Sequence, residues 1–229
     1  MKLASIATAL AAVTGITIAA IAMPASATTT NFGFGNIESG DTVGDAFASG
    51  LSFNFTNNND GTVLFKFLNN TSGQNAIKQF AFSVDPTVSG LLSGMQLNVG
   101  NVGNVNFAAN TQNLSQSNKI SGWDGTTFGG GTTGGNNKSV QVGEQLGVKF
   151  TGVYDNILAA LNNGSLKVGL HVGSLPINGT GDGGSDSYVN LYTPPAPPPA
   201  RVPEPASLVG LGLVASGMVM VRRRRTFAN

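Results

Sequence analysis

The stretch Leu51-Ser-Phe-Asn-Phe-Thr-Asn-Asn-Asn-Asp-Gly-Thr-Val-Leu-Phe-Lys-Phe67 decides the fold class. Leu51, Phe53 and Phe55 alternate with Ser52, Asn54 and Thr56, and Val63, Phe65 and Phe67 resume the apolar phase further on. Side chains on a strand alternate between faces, so each run turns one apolar face to a core and one polar face to water. Between the runs, Asn57 to Gly61 are residues that reach left-handed backbone conformations at little cost. The segment therefore predicts an antiparallel hairpin.

The same alternation recurs on either side. Phe80, Phe82 and Val84 form one run, ended by Pro86. Met95, Leu97 and Val99 form another, followed by Leu146, Val148 and Phe150, by Leu166, Val168, Leu170 and Val172, and by Val189 with Leu191. Short strands separated by polar turns predict an all-β domain, an antiparallel sandwich of jelly-roll type. One segment breaks the period. Asp155 as a capping residue, Ile157, Leu158 and Leu161 at helical spacing, and a terminating Gly164 predict one short helix. Residues 122–137 hold seven glycines and read as a mobile loop, because glycine resists ordering and little apolar area offsets that.

The two ends of the chain follow different rules. Lys2, an apolar stretch from Leu3 to Met23, and the small residues Ala25 and Ala27 predict a signal peptide cut before Thr28. At the other end stand Val202-Pro203-Glu204-Pro205, then sixteen uncharged residues from Ala206 to Val221, then Arg222, Arg223, Arg224 and Arg225. As a helix, the uncharged run reaches roughly 24 Å, and arginine stems extend that toward the ~30 Å of a bilayer core. The four arginines place the tail on the cytoplasmic side and everything before the helix outside. Residues 194–201, with the triplet Pro197 to Pro199, predict an extended linker.

Residues 202–225 resemble the PEP-CTERM sorting signal of Gram-negative bacteria: a Pro-Glu-Pro motif, an apolar helix and an arginine cluster, in that order. The resemblance implies recognition and processing near Glu204 by an exosortase, a membrane-embedded cysteine transpeptidase-like enzyme. It also implies an association with extracellular polysaccharide and biofilm. The expected organisation is a signal peptide over 1–27, a β-sandwich ectodomain over 28–193 and a linker over 194–201. A sorting and membrane-anchor segment over 202–225 and a cytoplasmic tail over 226–229 complete it.

Composition narrows the chemistry of the central part. Residues 28–200 carry six lysines and ten carboxylates, a net charge of −4, which gives nucleic acid no electrostatic footprint. The chain has no cysteine, so neither a disulfide nor a thiol nucleophile is available. His171 is the single histidine, on the polar phase of its strand, where it is expected to face solvent; zinc and haem lack ligands. No Gly-x-Ser-x-Gly elbow and no framed pair of carboxylates marks a hydrolase.

Two weaker site candidates remain. Asp182 and Asp186 lie four residues apart in a glycine-rich stretch read as a loop, an arrangement of hard oxygen ligands compatible with Ca²⁺. Trp123 beside Asp124 offers a ring to stack on a sugar and a carboxylate to hydrogen-bond it. The sequence reading is thus a non-enzymatic exported surface or matrix protein with no cofactor. It passes through the inner membrane, is released to the cell surface by an exosortase, and keeps company with polysaccharide. The alternative is a carbohydrate- or Ca²⁺-binding module on an uncut anchor.

Overall fold

Strands β2 (Leu51–Asn57) and β3 (Thr62–Asn69) form the expected hairpin. Phe53 stands opposite Phe67 and Phe55 opposite Phe65, so all four rings share one face. The reversal between them uses left-handed Asn59 (φ 60°) and Gly61 (φ 80°). Asp60 Oδ1 clamps its exit, accepting from the Thr62 N–H at 2.9 Å and from the Thr62 hydroxyl at 2.5 Å. Those two donors hold the Asp60 carboxyl below the usual carboxylate range.

This computed structural model describes residues 27–40, 42–177 and 180–191. The remaining elements are β1 (Thr29–Asn36), β4 (Ala76–Val84), β5 (Ser93–Leu97), β6 (Phe107–Ala109), β7 (Phe128–Thr132) and β8 (Gln145–Thr151). Helix α1 (Tyr154–Asn163), β9 (Leu166–Ile177) and β10 (Thr180–Asn190) follow. The described part is thus mostly antiparallel β with one short α-helix. Its strands make a single ten-stranded sheet in the order β5-β8-β3-β2-β1-β10-β9-β4-β7-β6.

Strand β1 joins the two halves of that sheet. Its first part, Thr29 to Gly33, pairs with β2, and its last part, Phe34 to Asn36, pairs with β10. The sheet curls until its inner faces meet. Phe65 of β3 lies edge-on to Phe82 of β4 at 4.9 Å, Phe67 stacks on Phe80 at 5.3 Å, and Phe82 meets Phe150 of β8 at 5.1 Å. All of these rings are fully buried. Helix α1 buries Tyr154, Ile157, Ala160 and Leu161, and Tyr154 stacks on Phe55 at 4.6 Å.

The curl nearly closes. Strands β5 and β6 end the order, and each is hydrogen-bonded to a neighbouring strand on one side only. Across the seam, side chains replace the backbone ladder. Asn98, just past β5 and left-handed at φ 60°, accepts from the Phe107 N–H at 3.0 Å and donates to the Phe107 carbonyl at 2.9 Å. Asn101 donates to the Val105 carbonyl at 3.0 Å and accepts from the Gly147 N–H of β8 at 2.9 Å. An amide side chain carries the same donor and acceptor as a peptide unit, so each asparagine stands in for one rung.

Four local readings need correction. Residues 122–137 do not form one loop: β7 runs through Phe128-Gly-Gly-Gly-Thr, paired with both β4 and β6. Glycine there marks a close approach, because a Cβ on Gly130 would lie 2.6 Å from the Phe80 ring. The glycine-rich stretch before Tyr188 is likewise strand, since Gly184 to Ser187 pair with β9 through a bulge. Helix α1 is capped by Val153, which makes no side-chain cap hydrogen bond, and Asp155 sits inside its first turn, whereas Gly164 ends it left-handed as expected (φ 82°). Leu191 lies beyond β10 and is half exposed.

Strands β1 and β6 were not foreseen. Ala27 and Thr28 are exposed residues leading into β1. The rest of the signal segment, the linker, the sorting motif and the arginine cluster lie outside the described residues. Among the described residues no helix is long and apolar enough to cross a membrane.

Since the opposed rings hold the curl, removing one from its centre should be costly. Phe82→Ala is expected to lower unfolding free energy by about 3–5 kcal/mol in urea titration, while Val153→Ala, at an exposed position, should change it by about 0.5 kcal/mol or less.

Candidate functional site

The polar side chains with the most unusual surroundings gather where β10 leaves its pairing with β1. Asp186 is buried (2% exposed) and faces Val172 of β9 in the register. Its Oδ2 accepts from the Gly44 N–H at 3.0 Å, and its Oδ1 accepts from Gln116 Nε2 at 3.0 Å and from the Ser187 N–H at 2.8 Å. The Tyr188 hydroxyl donates to the Gly44 carbonyl at 2.7 Å. Only glycine fits at position 44, because a Cβ would sit 2.3 Å from the Tyr188 oxygen and 2.5 Å from the Asp186 side chain.

Burial pushes the Tyr188 hydroxyl far up, and the charges of Asp186 and Asp45 push it further, so it stays a proton donor. Gln116 reaches Asp186 from a left-handed backbone (φ 63°), which costs a non-glycine residue roughly 1 kcal/mol. One carboxylate thus ties β10 to the segment carrying Gly44 and to the segment carrying Gln116. Three protein donors occupy its oxygens, which is the work of a structural clasp.

Strand β9 carries the second polar group on its outward face. His171 is half buried rather than turned to open solvent, and its Nδ1 lies 3.0 Å from the Ser187 hydroxyl. Ser187 itself is only 1% exposed, so this serine and histidine touch without opening to a substrate. Lys78 stands at the bulge of β4, between Ile77 and Gln79, and its stem runs across Gly173, within 3.1 Å of where a Cβ would be. Its Nζ is buried with no hydrogen-bond partner, and burial lowers its pKa.

Trp123 and Asp124 take separate roles. Trp123 is half buried with its ring over Gly169 of β9, 3.2 Å from where a Cβ would be, beside Leu114. Its Nε1 is buried with no partner. Asp124 is exposed, and its backbone N–H donates to the Ser83 hydroxyl at 3.0 Å. Trp123 therefore covers the outer face of the sheet, and glycine at 169 is what lets it settle there. Of the proposed cation ligands, Asp186 sits in the clasp, while Asp182 belongs to β10 and its side chain lies outside the described part. Among the described residues no three His, Asp or Glu side chains converge on one point.

One groove adjoins these groups. It has a volume of about 300 Å³ and lies between Ile37, Glu38, Lys119, Ile120, Val189 and Leu191, where the chain leaves the sheet. Sequence reasoning missed the clasp because Gly44, Gln116 and Asp186 are far apart in the chain. The one local signal was an acid on the inward phase of a strand pattern, hidden by reading that stretch as a loop.

Two outcomes follow from this geometry. Asp186→Asn puts an amide donor among three donors, and should cost about 2–3 kcal/mol in urea unfolding. Burial, foremost, lowers the His171 pKa from its ordinary 6.5; Lys78 adds to this and Asp186 opposes it. The unfolded chain therefore takes up a proton near pH 6.5 that the folded chain refuses. The stability from neutral His171 is complete above pH 6.5 and is lost as pH falls below it, down to the folded pKa. Urea midpoints from pH 7.5 to 5.5 should fall for the native chain and fall less steeply for His171→Gln.

No protein-family model matches this chain, and no curated protein or solved structure matches it.

Proposed function

We propose that this is a non-enzymatic exported protein of the cell surface or extracellular matrix, sorted and processed at Glu204 by an exosortase-like enzyme. The observation that carries the reading is the ordered set in residues 202–225: Pro203-Glu204-Pro205, an uncharged run to Val221, then four arginines. Each part has a physical task. The prolines hold Glu204 in an extended backbone that an enzyme cleft can grip, the apolar run partitions into lipid, and the arginines fix which side it enters from.

The described part supports this reading in two ways. Among the described residues the last strand ends at Asn190, ahead of the proline-rich stretch, and trimming near Glu204 would leave that strand and its pairing intact. Its side chains suit life outside the cell: the core needs no cysteine, and much of its polar bonding comes from Asn and Thr. On this reading the rolled sheet is a jelly-roll-like sandwich. Its companions are the inner membrane during export and polysaccharide afterwards.

Intact mass of the protein recovered from the envelope and medium of its host tests the proposal. The wild-type chain is expected to begin at Thr28 and end near residues 203–205. Glu204→Ala should stay in the membrane fraction with its C-terminus at Asn229. Release of that variant into the medium at the wild-type mass would overturn the reading.

A further inference from the structure

The seam between β5 and β6 differs from every other strand boundary in the sheet. Elsewhere adjacent strands exchange backbone hydrogen bonds along a register, from three paired positions between β6 and β7 to eight between β4 and β9. At the seam, Asn98 and Asn101 supply the bridges from side chains. The connection between β5 and β6 is pinned in turn to the connection before β8: the Lys138 ammonium donates to Asn104 Oδ1 at 2.5 Å, while Asn104 donates its own N–H to Glu144 Oε1 at 2.8 Å. Side-chain rungs are weaker than backbone ones for a stated reason: each can be broken by a rotamer change that leaves the main chain in place.

The surroundings make the seam separable from the rest. Strand β5 is largely exposed and its register with β8 shifts between Ser93 and Gln96. Strand β6 has three residues and exposes two of them. Beside the start of β5 the packing is incomplete: an apolar pocket of about 280 Å³ lies between Val84, Pro86, Leu91, Leu92 and Phe128. Neither β5 nor β6 carries a charge. By contrast β2 and β3, at the centre of their half, bury Phe53, Phe55, Phe65 and Phe67 completely.

We infer that this seam is a built-in gate, along which β5 and β6 part as a unit while the rest of the sheet stays folded, and that Asn98 and Asn101 are its latch. Parting separates the two ends of the strand order, turning the nearly closed curl into an open sheet with two free, uncharged edges. The break is local because the latch bonds end on Val105, Phe107 and Gly147 and none reaches β2 or β3; the Phe107 ring, 6.0 Å from Phe80, is what β6 gives up on parting. The gate belongs to the folded domain and does not depend on how the chain is sorted.

Native-state hydrogen exchange on the full chain tests this against ordinary whole-domain unfolding. Amides of Phe107 and Gly147, which the latch side chains bond, are expected to exchange with one shared, low protection, at least 100-fold below that of Phe53, Phe65 and Phe67, and with little dependence on urea. Asn98→Ala should speed exchange at Gly147, which Asn101 and not Asn98 bonds, by about tenfold, and leave the β2 and β3 amides unchanged. Equal protection at the seam and in β2–β3 would overturn the gate, as would a variant in which all these amides speed up together. Should Asn98→Ala fail to fold, the wild-type comparison of seam and central amides still decides the matter.

Discussion

Everything in this molecule depends on phenylalanines of opposed faces meeting across the curl. Phe65 and Phe67 come from one half of the sheet and Phe80 and Phe82 from the other, with centroids 4.9 to 6.0 Å apart. Burying each such side chain contributes about 1.5–3 kcal/mol, and well-placed ring pairs add about 0.5–1.5 kcal/mol. The contact also sets register. A one-residue slip of β3 against β2 would turn Phe65 and Phe67 to solvent and bring Leu64 and Lys66 inward, so no neighbouring register competes. In a chain without cysteine, this interlock does the work that disulfide cross-links do in other domains.

The outer face of the sheet is handled differently. Where segments pack over it, glycine makes the room: Gly169 under Trp123 and Leu114, Gly173 under Lys78, Gly35 under Leu191. The inward phase of β10 carries a charge of its own, and the Asp186 clasp is how its oxygens are satisfied. Its three donors come from a loop, a turn and its own strand, so the clasp forms only once all three have arrived. That makes it a late and specific contact, able to select one arrangement of the covering segments but unable to drive collapse.

The sequence was legible where side chains report on the backbone. Phe53, Phe55, Phe65 and Phe67 announce β2 and β3 because a large apolar residue at every second place has no other economical home. The helix was legible from Ile157, Leu161 and Gly164 for the same kind of reason. Strand β7 was not, since Gly129, Gly130 and Gly131 have no side chains to alternate, and only the Phe80 ring across from Gly130 explains them. Strand β1 carries a signal in Phe32 and Phe34, diluted by Gly33 and Gly35, whose purpose is to accept Leu191 from the far end of the domain. The clasp and the asparagine latch were illegible in principle. Both use common polar residues that acquire meaning only from partners brought together by the fold.

The abundance of asparagine then takes on a physical sense. A sheet that closes by backbone pairing must match twist, stagger and strand number around the whole circuit. A sheet that stops one rung short and bridges the gap with amide side chains escapes that condition, because Asn98 and Asn101 reach across whatever mismatch the curl leaves. Gly147 belongs to the same solution: the Val99 carbonyl lies 1.8 Å from where its Cβ would be, so Val99 can come down on β8 there only because residue 147 has no side chain. What it forgoes is uniform strength, since the circuit becomes weakest at the bridged gap. A roll so built has a continuous hydrogen-bonded ladder from β5 round to β6 and one discontinuity, placed opposite β1, the strand that pairs with both halves. Strand β1, paired by backbone ladders with both halves, and the amide bridges between β5 and β6 are therefore the two lateral joints of one sheet, only the second of them releasable by side chains alone.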